Sequence, residues 1–205
     1  MLKRLKKLLS GLFGRKDQIK LGIYGPPNTG KTTLANRISE EFTGEKMGSV
    51  SEVPHETRVV KKKERINLQT NGKEISMNLL DMPGISTKVD YKEFIEHGIE
   101  EEDAKARSKE ATKGVVEAIK WLDKVDAVLV VFDSAKDPYT QVNVTILGNL
   151  EAKDIPIILV ANKTDLDEAD PDNIRDAFPQ YNFTQISAKE KENLEGLYRE
   201  IVENI

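Results

Sequence analysis

The chain has 205 residues, 35 acidic against 31 basic side chains for a formal net charge of −4, and no cysteine. That length suits one domain with a full hydrophobic core plus a short appended segment, and leaves no room for a second catalytic domain. The charge sum excludes a protein that coats nucleic acid through overall charge, the lack of cysteine excludes a disulfide framework, a thiol nucleophile and a cysteine metal site, and no apolar run approaches the ~18 residues of a spanning helix.

Residues 1–16 differ from the rest. Leu2, Leu5, Leu9 and Leu12 recur at helical spacing while Lys3, Arg4 and Lys7 fall on the other side, which predicts a basic amphipathic helix. Such a helix suits an anionic lipid surface, a partner groove, structured RNA, or the surface of its own domain. It lacks the uncharged apolar run and cleavage site of a signal peptide. The remaining residues, 17–205, read as one domain. Gln18–Tyr24 alternates as a strand, and Thr32–Glu40 carries apolar residues at helical spacing. Between them stands Gly25-Pro26-Pro27-Asn28-Thr29-Gly30-Lys31-Thr32, the spacing G-x-x-x-x-G-K-[ST]. The plain alternative is a glycine-containing turn. The strand, loop and helix order is instead the setting of a phosphate cradle: backbone N–H groups around Asn28, Thr29, Gly30 and Thr33 turn inward, Lys31 reaches the terminal phosphates, and the Thr32 hydroxyl faces Mg²⁺.

Residues 44–54 form a polar loop without period. Arg58–Leu68 and Glu74–Leu80 are predicted strands joined across Asn71-Gly72, a strong hairpin signal. Gly84 to about Glu102 reads as irregular, its acidic run at 100–103 suiting the start of a helix over 103–124. Trp121 on that helix is expected in the core. Ala127–Phe132 is a continuous apolar run, as for a strand buried on both faces. A helix over 139–150, a strand over 155–161, a short helix over 172–178, a strand over 182–186 and a helix over 191–205 complete the chain. Six strands alternating with helices predict an α/β fold with a mostly parallel sheet, one antiparallel hairpin strand, and helices on both faces.

Of four more short motifs, three lie past strand ends, where ligands bind in open α/β sheets. Asp81-Met82-Pro83-Gly84 offers a carboxylate for Mg²⁺ and a glycine N–H for a γ-phosphate. In Asn162-Lys163-Thr164-Asp165, the carboxylate of Asp165 accepts two hydrogen bonds from guanine, a donor pair that adenine lacks. In Ser187-Ala188-Lys189, the Ala188 N–H is within reach of guanine O6. The fourth is Pro54-His55-Glu56-Thr57-Arg58, ahead of the second predicted strand. Each alone fits an ordinary polar loop; their order along one edge is phosphate, magnesium, base.

Over about Gln18 to Ile205 the chain resembles small GTP-binding proteins of the TrmE, Era and EngA group, which share this P-loop NTPase fold. The resemblance makes Thr57 a second Mg²⁺ ligand that senses the γ-phosphate, although Glu56 departs from the P-x-T-T-R pattern. It implies hydrolysis of GTP to GDP and phosphate as a molecular switch, with residues 44–58 and 84–102 as the two switch segments. Lys31, Thr57 and Asn28 are the expected catalytic residues. Ras-like proteins carry a water-orienting glutamine after the D-x-x-G glycine; here Ile85 stands there, so slow intrinsic hydrolysis is expected. Asn28 is the candidate for holding a K⁺ ion that assists, or else it braces the loop. His55 and His97 are expected to be solvent-exposed loop residues. The resemblance also implies an effector protein, admits a GTP-dependent dimer, and gives an Era-like domain without the C-terminal KH domain. A cytoplasmic protein, peripheral at the membrane if residues 1–16 bind lipid, is expected. The alternatives are a membrane-surface or assembly module controlled by nucleotide, and a ribosome- or RNA-associated GTPase.

Overall fold

The computed structural model of the protein describes residues 18–50, 55, 57–70, 72–86 and 89–205. The amphipathic segment 1–16, Pro54, Glu56 and the turn residue Asn71 therefore lie outside the described residues. Strands β1 (Ile19–Tyr24), β2 (Lys61–Thr70), β3 (Lys73–Asp81), β4 (Ala127–Asp133), β5 (Ile157–Asn162) and β6 (Asn182–Gln185) form one sheet in the order β2-β3-β1-β4-β5-β6. All neighbours are parallel except β2 with β3. This is the mixed six-stranded sheet that the alternation of patterns predicts. The helices are α1 (Lys31–Thr43), α2 (Tyr91–Glu96), α3 (Glu101–Trp121), α4 (Gln141–Glu151), α5 (Pro171–Ala177) and α6 (Leu194–Asn204).

The period of two along β1 divides the core into two layers. Leu21 and Ile23 pack with Leu34 and Ile38 of α1 and Leu197 and Ile201 of α6. Tyr24 faces the other way, among Ala118 and Leu122 from the α3 end and Ile146 and Leu150 of α4. Every residue of β4 and β5 is buried, as their unbroken apolar runs require. On the edge strand β2 only Ile66 and Leu68 are fully buried, and its lysines discourage pairing with another chain. A register shift between Lys63 and Ile66 is accommodated by Arg65 at φ 59°, whose N–H donates to the buried Asn78 side chain at 3.2 Å.

Two expectations are corrected. The segment 84–102 is not irregular throughout: it contains α2, capped by the Asp90 side chain accepting from the Lys92 N–H. A helix of fewer than two turns leaves no readable periodicity, and it forms here because fully buried Phe94 packs on Ala104 and Ala111 of α3. Trp121 is only half-buried, with the Lys124 ammonium 4.6 Å from its ring centre, and Val116 and Ile119 on the same helix are 48% and 46% exposed. The reason is close approach: α3 buries the small residues Ala104, Ala111, Gly114 and Ala118. A Cβ at Gly114 would lie 2.7 Å from the Arg58 carbonyl oxygen, so the chain just ahead of β2 reaches the α3 backbone.

Because β1, β3, β4, β5 and β6 run the same way, Tyr24, Asp81, Asp133, Asn162 and Gln185 end along one edge. From β1 the chain passes to the β2–β3 side of the sheet, and from β3 it crosses to β4 on the other side of β1, a reversal of direction that opens a crevice at that edge.

Candidate functional site

The loop between β1 and α1 wraps tightly at this edge. Gly25 has φ 146°, and a Cβ there would lie 2.4 Å from the Val131 carbonyl oxygen. Gly30, at φ 91°, caps α1 with no side-chain hydrogen bond, and a Cβ on it would meet the Asn162 amide at 2.2 Å. Only glycine fits both the conformation and the approach. The loop leaves the first N–H groups of a 13-residue helix facing the crevice, a setting that favours anions. Lys31 is buried at the same point, its Nζ donating to the Pro26 carbonyl at 2.5 Å. Burial pulls its ammonium down to about 8, against the smaller upward pull of Asp81. A buried cation held by one carbonyl lacks a full counter-charge, which an anionic ligand would supply.

Beside it, Thr32 Oγ1 donates to Asp81 Oδ2 at 2.8 Å and lies 2.8 Å from Thr57 Oγ1. Since Thr32 spends its single hydrogen on Asp81, Thr57 donates to Thr32. Asp81 is fully buried, and its other oxygen, Oδ1, accepts no hydrogen bond. Burial raises its carboxyl, while the Thr32 hydroxyl and the Lys31 charge pull the other way. Two hydroxyls and a carboxylate with one vacant buried oxygen form a hard-oxygen donor set that fits Mg²⁺, which completes its shell with water and phosphate. Among the described residues no group of three or more His, Cys, Asp or Glu side chains offers another metal site. Gly84, buried beside Pro27, and the Ile85 N–H, which donates to the Gly25 carbonyl at 3.1 Å, tie the D-x-x-G segment to the loop. The Ile85 side chain is buried in the core layer with Tyr24.

At the other end, Asn162 joins two loops: its Nδ2 donates to the Thr29 carbonyl at 2.8 Å and its Oδ1 accepts the Ala188 N–H at 2.9 Å. The Ala188 N–H, reaching guanine O6 in the sequence expectation, is thus spent on Asn162 in this structure. Asp165 Oδ1 accepts the Ser187 hydroxyl at 2.6 Å, and that bond is the main reason its carboxyl lies below the usual range. The Lys189 ammonium stands 3.8 Å from Oδ2. A cleft of about 590 Å³ takes in Asn28, Lys31, Thr32, Thr33, Thr57, Gly84, Asn162, Lys163, Asp165 and Lys189. Most of the sequence-predicted residues therefore meet in one place; Thr29, Asp81, Ser187 and Ala188 do not line the cleft but are hydrogen-bonded to Asn162, Thr32 or Asp165, which do. A second cleft, of about 670 Å³ between α1 and residues 191–195, carries none of the motif residues. Asn162→Ala would leave a buried carbonyl and a buried N–H without partners. The expected loss is about 1–3 kcal/mol, read from urea unfolding of the ligand-free protein.

His55 corrects another expectation. It is 5% exposed rather than a solvent-facing loop residue, at φ 57°, with its ring centre 6.2 Å from that of Phe94, and it lines the same cleft. Burial, helped by the Lys31 charge, lowers its imidazole to about 4, so it is neutral at pH 7. His97 is exposed, as expected. Motif spacing overlooks three side chains that shape the site. Asn36 of α1 accepts the Met47 and Gly48 N–H groups and donates to the Gly48 carbonyl, pinning the loop after α1. Arg37 donates to the Ala188 and Lys189 carbonyls, both at 2.9 Å, which ties α1 to the loop after β6. Asp133 holds Lys163 Nζ at 2.7 Å. For Asp133 a signal exists: a carboxylate closing an apolar strand, the pattern that singles out Asp81.

The family model described as "50S ribosome-binding GTPase" matches residues 20–163. GTPase Der of Borreliella afzelii is 31% identical in an alignment that covers 89% of this chain and 39% of that protein. GTPase Era of Alkaliphilus oremlandii is 32% identical in an alignment that covers 88% of this chain and 54% of that protein. The chain thus spans about half the length, or less, of these relatives. Among solved structures, an Aquifex aeolicus Era variant bound to GDP.AlF4- superposes with a TM-score of 0.67 at 22% identity, covering 91% of this chain and 56% of that one. Era in complex with MgGDPNP and a stretch of 16S ribosomal RNA gives 0.65 at 23% identity, covering 90% and 56%. These two likenesses establish the shared fold.

Proposed function

Since the chain belongs to the 50S ribosome-binding GTPase family, its match covering residues 20–163, we propose that it binds GTP in the strand-end cleft and hydrolyses it to GDP and phosphate as a molecular switch. The observation that carries this is the convergence of Lys31, Thr32, Thr57 and Asp165 on one cleft, with the buried Asp81 carboxylate bonded to Thr32. Lys31 and the loop N–H groups would hold the β- and γ-phosphates, and the Gly84 N–H would face the γ-phosphate. Thr32, Thr57 and Asp81 would hold Mg²⁺, which supplies charge neutralisation on the phosphate oxygens when bound. Asp165 would accept the guanine N1–H and exocyclic amine, with its Ser187 bond keeping the carboxylate aimed. Water attack would break the bond between the γ-phosphorus and the bridging oxygen. The Ile85 side chain, apolar and packed in the core, does not orient that water, so turnover by the isolated protein is slow. Inorganic phosphate release from GTP, with competition by GDP and by ATP, tests this. ATP competing as well as GDP would overturn the guanine assignment.

Asn28, at φ 60° on the exposed side of the loop and lining the cleft, is our candidate for holding K⁺. Hydrolysis is then expected to be about tenfold faster in K⁺ than in Na⁺, and Asn28→Ala to remove the difference. Equal rates in both salts, with Asn28→Ala harmless, would sink the idea.

Residues 1–16 would serve as an arm attached to the GTP-binding domain of 17–205. A ribosomal RNA contact is the second reading, favoured by the Era complex with 16S ribosomal RNA. Removing residues 1–16 and measuring RNA and anionic-liposome binding beside GTP turnover separates the address from the engine. Loss of liposome binding alone would make the arm a lipid anchor, and loss of RNA binding alone would favour the ribosome.

A further inference from the structure

Asp133 closes β4, and no motif includes it. Its side chain is 3% exposed; Oδ2 accepts Lys163 Nζ at 2.7 Å, and Oδ1 accepts the Ala135 N–H at 3.2 Å. Lys136 Nζ lies farther away, at 3.8 Å. The pair is held rigidly. Asp133 is in register with Asn162, the Ser134 N–H donates to the Asn162 carbonyl at 2.9 Å, and Lys163 itself takes a left-handed turn at φ 68°. Two residues further on is Asp165, whose Oδ2 stands 3.8 Å from the 75% exposed Lys189 ammonium. Lys163 carries a compact charge on a flexible stem, and it lines the same cleft as Asp165.

We propose that Asp133 is a positioning residue for guanine recognition. By binding the Lys163 ammonium, it keeps that charge off Asp165 and leaves the Asp165 carboxylate open to the two guanine donors. The stem of Lys163 is thereby laid along the cleft it lines. The proposal rests on the guanine-nucleotide reading above. Without Asp133, the Lys163 ammonium turns to Asp165, and the base must displace it.

The test compares GDP with inorganic pyrophosphate, which fills the phosphate cradle without meeting Asp165. Calorimetry on the full chain with Asp133→Asn is expected to show GDP binding weakened about tenfold, the scale of one charged hydrogen bond, and pyrophosphate binding unchanged. In a Lys163→Met background, Asp133→Asn should change neither affinity. Equal losses for the two ligands, or a GDP loss undiminished in the Lys163→Met background, would overturn the proposal. If Asp133→Asn alone does not fold, Lys163→Met is compared with the double variant: equal GDP affinities support the proposal and unequal ones overturn it. Wild-type protein that binds no guanine nucleotide would remove the underlying reading instead.

Discussion

Replacing Lys31 by methionine is expected to weaken GTP and GDP binding by about 100-fold or more, because it removes a charge-assisted hydrogen bond made in a desolvated crevice. The same change should make the nucleotide-free protein more stable. Burial pulls the Lys31 ammonium from 10.5 down to about 8, so at pH 7 the fold carries a cation that the unfolded chain solvates better. Removing that cost should raise stability by something on the order of 2 kcal/mol. The sign can be checked by pH. Between about 8 and 10.5 the unfolded chain holds a proton that the folded chain has lost, so the stability of the ligand-free wild type gains from this group as pH rises through that window. Lys31→Met should lack that gain. Denaturant unfolding of both proteins without nucleotide or metal, beside calorimetric titration with GDP, reads both effects. A variant that binds GDP normally would detach Lys31 from the phosphate role.

Asp165→Asn should exchange one base preference for another. The side chain would no longer meet the guanine N1–H and amine as an acceptor pair, and an amide donor would oppose the guanine amine. GTP affinity is expected to fall by roughly 10³–10⁴-fold, the scale on which a site built for hydrogen bonds rejects a mismatched partner. Xanthosine triphosphate presents a carbonyl where guanine has the amine, so the amide should accept it, and its binding should improve. Competition of labelled GDP by guanine, xanthine and adenine nucleotides measures this. The Ser187 hydroxyl, which donates to the Asp165 carboxylate in the wild type, would donate to the amide oxygen of the substituted side chain, so the loop should remain in place. Unchanged GTP affinity would remove Asp165 from base recognition.

Much of the site was legible because its parts sit in short, local patterns. A loop such as Gly25 to Thr32 encodes its wrap in its glycines, whose φ values of 146° and 91° few other residues adopt. Asn162 follows an apolar run that reads as a buried strand, Asp81 and Ser187 follow shorter mixed strand patterns, and strands of a parallel sheet deliver their ends to one edge. His55 was not legible. Its burial depends on Phe94, 39 positions away in the chain, and on α2, a helix too short to announce itself. Trp121 misled for a related reason: the contact face of α3 is chosen by how closely Arg58 and Pro83 approach Gly114, and no period of large apolar residues records that.

The amino-acid sequence by itself determined the order of the six strands and of every helix except the short α2, the layers on either side of β1, and the identity of the residues that gather at the strand ends, because backbone geometry and side-chain period act over a few neighbouring positions. Tertiary structure alone decided which charges meet there. Asp133 with Lys163, Thr32 with Asp81, Asn162 with Thr29 and Ala188, and Arg37 with the 188–189 carbonyls are separated by 26 to 152 positions in the chain. Only the assembled sheet brings them within hydrogen-bond reach, and only burial makes their pairing obligatory.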